Sequence, residues 1–329
     1  MSKADTPITV IIPCFNAEKY IQKCIDSVLP NLLSGDQLMV IDDGSTDRTS
    51  ALIRKYKQKQ LSLISHETNI GPSRSRNEGA QQASGDILFF LDVDTEITDQ
   101  TLYAIRKFFM KDLQAGAVQC ELRLSDQKLD SIGHFLTIFG FPYEVGVNEA
   151  PEKFRKITPV FGAKSAGMAV RKKVFEEAGG FDEDYLIYGE DTDLSWRIWL
   201  GGYEINYLPG SVVYHHQRSS MTARTKQRVY FEGSKNNLNY ILKDAPINTA
   251  LYMVPLHILG WVLLSMKLFL QGEFQSAFVI YKGLGWNLLN GYRTLEKKQR
   301  IIRKKDVQVF GNITFKKLIQ KGLRWFIHV

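Results

Sequence analysis

The stretch "GDILFFLDVDTEI", Gly85 to Ile97, ends an apolar run with two carboxylates one residue apart, Asp92 and Asp94. Open α/β sheets bind ligands beyond the carboxyl ends of their strands. Strand alternation would put both side chains on one side. Two such charges about 4 Å apart repel by about 4 kcal/mol at an effective dielectric near 20. A hard cation, Mn²⁺ or Mg²⁺, removes that cost and can share its coordination with phosphate oxygens. The plainer reading is a turn in which Asp94 caps the next helix, so the weight falls on the company this pair keeps.

Polar groups recur at other strand ends. "VIDDGSTDRT" places Asp42 and Asp43 after an apolar run, suited to accept from a base N–H or a ribose hydroxyl. An ordinary Asp-Gly-Ser turn is the competing explanation. "IIPCFN" ends with Pro13 and Asn16, and "NIGPSRSRNEG" supplies Asn69, Arg74, Arg76 and Asn77. A guanidinium there could meet a diphosphate, although Arg74 fits a solvated helix face equally well. Farther on, "YGEDTDLSWRIW" sets Glu190 and Asp191 where a helix starts. Backbone N–H groups and the helix dipole would keep such a carboxylate ionised, as a helix cap or as a general base. Asp193 and Arg197, four apart, read as a helix-face pair. "VVYHH" ends in His215 and His216, of which alternation turns one toward a given face; that one is either a metal ligand or an aromatic-layer histidine.

The elements that must position these groups alternate in βαβ fashion over the first ~120 residues. Strands are predicted at "ITVIIP", "QLMVID", "LSLISH" and "DILFFLD". Helices are predicted at "AEKYIQKCIDSVL", "STDRTSALIRKYKQK" with a Ser45 or Thr46 cap, "PSRSRNEGAQQAS" and "ITDQTLYAIRKFFMK". Glu121 to Phe161 reads as long irregular loops. Helices follow at "RKKVFEEAGGF" and "EDTDLSWRIWLGG", the latter capped near Asp191, with two short strands, "YEINYLP" and "SVVYHH". From Arg224 on, the chain reads as helical.

The chain has 329 residues, 44% of them apolar, enough for a catalytic domain plus an appendage. Its net charge of +7 is uneven, with "YRTLEKKQRIIRKK" and "KKLIQKGLRW" strongly basic. Beside "ALYMVPLHILGWVLLSM", Ala250 to Met266, that charge predicts an interfacial anchor on an anionic leaflet rather than a spanning helix. Packing on the catalytic domain, or a homodimer interface, is the competing use. Nucleic acid is a poor fit, because the basic run is not interleaved with stacking aromatics. Three scattered cysteines show neither metal spacing nor a disulfide framework. With no secretory pattern at the start, the expected location is cytoplasmic, peripheral at the inner face of the cell membrane. Neither a P-loop nor a G-x-G-x-x-G occurs.

Together, "VIIPCFNAEKYIQKCIDSVL", "VIDDGSTDRT", "NIGPSRSRNEGA", "GDILFFLDVD" and "GGFDEDYLIYGEDTDLSWRIWLGGYEINYLPGSVVYHH" resemble the family 2 glycosyltransferases. The resemblance implies a GT-A fold: an α/β, Rossmann-like, mostly parallel sheet flanked by helices. Residues 1–223 would form that domain, with 1–120 binding nucleotide-sugar and 121–223 supplying acceptor and base. Residues 224–329 would be a helical membrane-proximal region. It also implies that Asp42 or Asp43 contacts the base, with Pro13, Asn16 and Asn69 at the same strand ends. Arg76 would contact the base or diphosphate and Asp92 the ribose. Asp94 and His215 would hold Mn²⁺ or Mg²⁺, and Asp191 would deprotonate the acceptor with Glu190 in support. "DSIGHFLTIFG" and "FGAKSAGMAVRKKVFEEAGGFDEDY" look like the rhamnosyltransferase-like members that build bacterial cell-surface polysaccharides. The expected donor is dTDP-rhamnose or a UDP-sugar, and the expected acceptor a glycan or lipid-linked glycan. No Q-x-x-R-W motif follows Trp196-Arg197, so one or few sugars would be added rather than a processive polymer. A sugar nucleotidylyltransferase would need a Gly-rich basic loop where "PCFNAEKY" stands; an inactive sugar-nucleotide-binding subunit would not need Asp94 and Asp191.

Overall fold

The computed structural model describes residues 6–216 and 223–304. Mainly apolar runs become strands: β1 (Ile8–Cys14) and β4 (Ile87–Leu91) are buried throughout, β2 (Gln37–Asp42) is buried except at Gln37, and β3 (Leu61–Ser65), at the sheet edge, is only partly buried. Between them lie α1 (Ile21–Val28), α2 (Thr49–Ile53) and α3 (Pro72–Gln82). Next come β5 (Thr95–Ile97), α4 (Thr101–Lys111), β6 (Ala115–Arg123) and the short strands β7 (Leu129–Ser131), β8 (His134–Leu136), β9 (Pro142–Glu144) and β10 (Thr158–Pro159). β11 (Gly167–Arg171), α5 (Lys172–Glu177), α6 (Glu190–Leu200) and β12 (Glu204–His215) complete the α/β part. Among the described residues, the helices α7 (Ala223–Asp244), α8 (Ile247–Leu270), α9 (Phe274–Leu289) and α10 (Gly291–Arg300) follow.

The sheet runs β10-β12-β6-β11-β4-β1-β2-β3, with β5 paired to β12 and β7 to β6. β1 is parallel to β2 and β4, β2 to β3, and β6 to β12, whereas β11 runs antiparallel between β4 and β6. Alternation along β1 sends Ile8, Val10 and Ile12 into a core shared with α1 and α4. Ile11 faces the opposite core, shared with α3, α5 and α6. The result is a mixed α/β sheet with helices on both faces, and the carboxyl ends of β1, β2 and β4 open to one side.

Several elements differ from expectation. The predicted second helix shrinks to five residues, α2, and starts at Thr49 rather than at Ser45 or Thr46. Asp47 explains this, because its carboxylate accepts from Thr49 N at 2.9 Å and holds the chain in a turn. Within the predicted loop region, β7 to β10 form short pairs too brief for a period-2 signal. The two short strands after α6 are one twelve-residue strand, bulged near Leu208 to Val212. The apolar C-terminal segment extends to a 24-residue helix that keeps Pro255 inside it and is long and apolar enough to cross a membrane.

A buried tie fixes the amino edge of the sheet. Asp36 accepts from Ile8 N and Leu33 N, each at 2.8 Å, and from Arg106 Nη2 at 2.7 Å. Asp36→Ala would leave Arg106 buried without its counter-charge, a loss of about 3–5 kcal/mol. Urea denaturation should show that drop; a loss under about 1 kcal/mol would remove this tie from the account.

Candidate active site

Leu91 ends β4, and Asp92 to Asp94 form a turn rather than a continuation of the strand, closed by Thr95 N donating to Asp92 O at 3.1 Å. The turn sends β5 back to pair antiparallel with the end of β12, so Thr95 lies opposite His215. That pairing brings together groups 121 positions apart. His215 Nε2 lies 3.5 Å from Asp94 Oδ2, and ligand atoms of Asp92, Asp94 and His215 all fall within 4.8 Å of one another. His216 points away to Glu96 at 2.8 Å. His215 Nδ1 meets Asp130 at 3.1 Å, the kind of contact that fixes an imidazole's orientation. Burial alone would lower the His215 pKa, but its hydrogen bonds to Asp130 and Asp94 outweigh that and raise it to about 10, so a cation bound there would have to displace its proton. Two carboxylates and an imidazole suit a divalent cation, so the residues present fit Mn²⁺ or Mg²⁺.

These groups line a cleft of about 1190 Å³. Pro13 and Asn16 reach it from the end of β1, Asp43 from β2, and Asn69 and Arg76 from the loop and helix after β3. Asn16 takes a left-handed backbone, φ 50°, and its side chain accepts from Thr46 N at 2.8 Å, tying two strand-end loops together. Asp43 accepts from Ile70 N and Gly71 N, each at 2.9 Å, so its oxygens hold the loop ahead of α3. Asp42 does not line the cleft; it is buried and accepts from Ser45 N at 3.1 Å. Arg74 makes an exposed pair with Glu183, and Asn77 brackets Phe181 through that residue's backbone N and O.

Arg76 is 4% exposed and lies between two halves of the cleft. Its Nη2 donates to Asp92 at 2.7 Å and its Nη1 to Glu190 at 3.4 Å. The guanidinium is thus bonded to protein carboxylates rather than free for a base, and its Nε has no partner. Burial, then the neighbouring Asp191 charge, push the Glu190 pKa to about 7 against the opposing pull of Arg76. Asp191 is partly exposed to the cleft and accepts from Thr192 N at 2.7 Å. Gly189, φ 84°, caps α6, so Asp191 sits in the first turn rather than at the cap. Asp193 and Arg197 form the expected pair, but buried, with Arg197 Nε 3.1 Å from Asp193.

Other cleft residues lie in segments quoted above for their resemblance, yet the sequence alone assigns them no role. His134 donates or accepts at Thr192 Oγ1, 3.1 Å away, and Lys164 pairs with Asp130 at 3.3 Å and Glu144 at 3.2 Å. They come from the stretch read as loops and from the segment leading into β11. α7 is the larger surprise. Asn236 Nδ2 donates to Ile187 O at 3.0 Å and Tyr188 O at 2.8 Å, while Lys235 Nζ donates to Asp184 O at 2.9 Å. Tyr185 OH meets Asn239 at 2.7 Å, and Lys243 meets Asp182 at 2.6 Å. α7 therefore holds the chain from 182 to 189, whose last two residues take positive φ just before Glu190. The polar run "EGSKNN" just ahead of the apolar helices was the available clue.

The sequence profile of the glycosyl transferase family 2 matches residues 9–179, just over half of the chain. The chain belongs to glycosyl transferase family 2. A probable glycosyltransferase of Bacillus subtilis, YdaM, is 25% identical to it over 243 residues, 72% of this chain and 56% of that protein. The poly-beta-1,6-N-acetyl-D-glucosamine synthase of Staphylococcus epidermidis is 27% identical over 223 residues, 68% of this chain and 53% of that protein. This glycosyltransferase-family chain thus spans little more than half the length of these curated relatives. Among solved structures, S. aureus TarS 1–349 in complex with UDP-GlcNAc superposes with a TM-score of 0.57 at 16% identity, covering 97% of this chain and 92% of that one. A Pyrobaculum calidifontis mannosyltransferase with GDP-Man and Mn²⁺ gives 0.54 at 19% identity, covering 90% and 84%. These likenesses establish the GT-A fold.

Asn236→Ala should loosen the turn that carries Glu190 and Asp191. Turnover should fall about 10- to 100-fold, with nucleotide affinity changed less than about twofold. Turnover within twofold of wild type would show that α7 does not position this loop.

Proposed function

We propose that this chain is an inverting, metal-dependent glycosyltransferase that moves a sugar from a nucleoside-diphosphate sugar to a glycan or lipid-linked glycan acceptor in bacterial cell-surface polysaccharide synthesis. The observation that carries this reading is the convergence of Asp92, Asp94 and His215 with Glu190 and Asp191 in one cleft, joined through Arg76. Family membership and the S. epidermidis synthase support it.

Asp92, Asp94 and His215 would hold the cation, with Asp130 orienting His215. When bound, the cation supplies charge stabilisation to the departing diphosphate. The imidazole makes the donor set softer than one of oxygen alone, which favours Mn²⁺ over Mg²⁺. Pro13, Asn16, Asp43 and Asn69 would shape the nucleoside end. Asp191 would take the proton from the acceptor hydroxyl. The acceptor oxygen then bonds to the anomeric carbon as that carbon's bond to the diphosphate oxygen breaks, on the opposite face, so configuration inverts. The transition state carries positive charge at the sugar, as in other glycosyl transfers. Glu190 and Arg76 would hold Asp191 in place and limit its repulsion with Asp92.

The proposed donor is a UDP-sugar, favoured by the N-acetylglucosamine polymer that the S. epidermidis relative makes. The dTDP-rhamnose expectation rests on sequence resemblance alone. Buried, free Cys14, Cys24 and Cys120 accord with a reducing, cytoplasmic setting.

Asp191→Asn keeps the shape of the side chain and removes its basicity. Transfer should fall by about 10²–10⁴-fold while Mn²⁺-dependent binding of UDP stays within about threefold of wild type. Near-normal turnover in Asp191→Asn would assign the base elsewhere. A panel of nucleotide sugars in the same binding assay separates UDP from dTDP donors.

A further inference from the structure

α8 has two unlike faces. Its inward stripe, Met253, His257, Trp261, Leu264 and Leu268, is buried at a spacing of three and four residues. That stripe is seated on protein by polar bonds as well as by packing. His257 Nδ1 meets Phe139 O at 2.7 Å, and Trp261 Nε1 donates to His257 Nε2 at 2.9 Å. Its outward face carries Leu251, Leu259, Leu263, Phe269 and Leu270, each about half exposed or more. α9 continues the same pattern, with Ile280 and Asn287 buried and Phe274, Phe278, Leu288 and Leu289 exposed. These exposed side chains run along two neighbouring helices, and a contiguous apolar face of that kind marks an interaction or membrane surface.

The charge on these helices, and in the sequence after them, selects the occupant. Between Ile247 and Leu289 the charged residues are Lys267, Glu273 and Lys282, and Glu273 is paired with Lys226 at 2.7 Å. Lys282 is exposed and stands over the Phe278 ring. Beyond the described residues, 305–329 carry five Lys or Arg and one Asp. Lysine is depleted from protein–protein interface cores, whereas exposed aliphatics bordered by aromatics and basic groups suit an anionic bilayer surface.

We infer that the outward face of α8 and α9 rests in the plane of an anionic lipid surface, with the cleft one helix thickness above it. A spanning arrangement would strip the His257–Trp261 stripe from the domain and leave its polar groups in hydrocarbon. Trp261 also lines the cleft, while Ile258, Leu259 and Leu263 face outward. Cleft wall and lipid-facing surface are therefore two sides of one helix, about 10–12 Å apart. An acceptor hydroxyl borne on a lipid anchored in that surface would approach the cleft that Trp261 and Asp191 both line; this last step alone rests on the proposed transfer reaction.

The test uses the full chain and vesicles of phosphatidylcholine, with or without phosphatidylglycerol. The substitutions Leu259→Glu, Leu263→Glu and Phe278→Glu are combined in one variant, all at exposed positions outside the catalytic groups. The wild type should sediment with phosphatidylglycerol vesicles at least about tenfold more tightly than with phosphatidylcholine alone. The variant should lose at least about tenfold of that binding. Its Mn²⁺-dependent UDP binding should match wild type, which shows that it is folded. Three outcomes overturn the proposal: equal vesicle binding by variant and wild type, wild-type protein that resists extraction by alkaline carbonate, or a wild-type dimer that the variant dissolves while neither binds vesicles. UDP binding is measured apart from vesicle binding, so failure of the transferase reading is seen separately.

Discussion

A guanidinium removed from water needs counter-charge, and carboxylates gathered in one cleft need a cation. Arg76 answers both demands. It lies between Asp92, at the end of β4, and Glu190, at the start of α6. Without it, Asp92, Glu190 and Asp191 would repel one another across a partly desolvated space, at several kcal/mol per close pair. The geometry of the site follows from this bridge. α3 must approach β4 closely enough to deliver Arg76, and the loop before α6 must fold in far enough to deliver Glu190. One consequence is the division of labour between adjacent acids. Glu190 is buried against Arg76, with its pKa driven up to about 7, and Asp191 faces the cleft.

Much of this was legible in the sequence. Short apolar runs of about six residues bounded by turn formers read as buried strands, so β1, β2 and β4 and the polar groups at their ends were readable. The convergence of Pro13, Asn16, Asp43, Asn69, Arg76, Asp92, Asp94, Glu190, Asp191 and His215 on one cleft is what a shared strand edge produces. Where the reading differed, a long-range contact decided the matter. Asp92 and Asp94 face one place because of a turn and the β5–β12 pairing, not strand alternation. Asp42 and Asp43 look alike in sequence, yet only Asp43 reaches the cleft; Asp42 is used inside its own turn. His134, Asp130 and Lys164 sit on strands of two or three residues or in loops, where no periodicity can mark them.

The C-terminal helices show the same limit from another side. Composition revealed apolar helices beside basic residues, but not which face turned where. α7 directs its Asn and Lys side chains inward to backbone carbonyls of the loop before Glu190. α8 and α9 direct leucines and phenylalanines outward. Since α7 packs along α9, and α8 along both, the outward apolar surface and the loop carrying Asp191 belong to one packed unit. The appendage is thus part of the wall of the site.

If the proposed transfer is right, Asp92, Asp94 and His215 would together hold a divalent cation in the cleft that Asp191 faces. Manganese anomalous diffraction from crystals grown with UDP and Mn²⁺ tests it most directly. An anomalous peak is expected among the side chains of Asp92, Asp94 and His215, beside the diphosphate, with the nucleoside toward Asp43 and Asn16. UDP bound in that cleft with no manganese at Asp94, or manganese held by other residues, would contradict it.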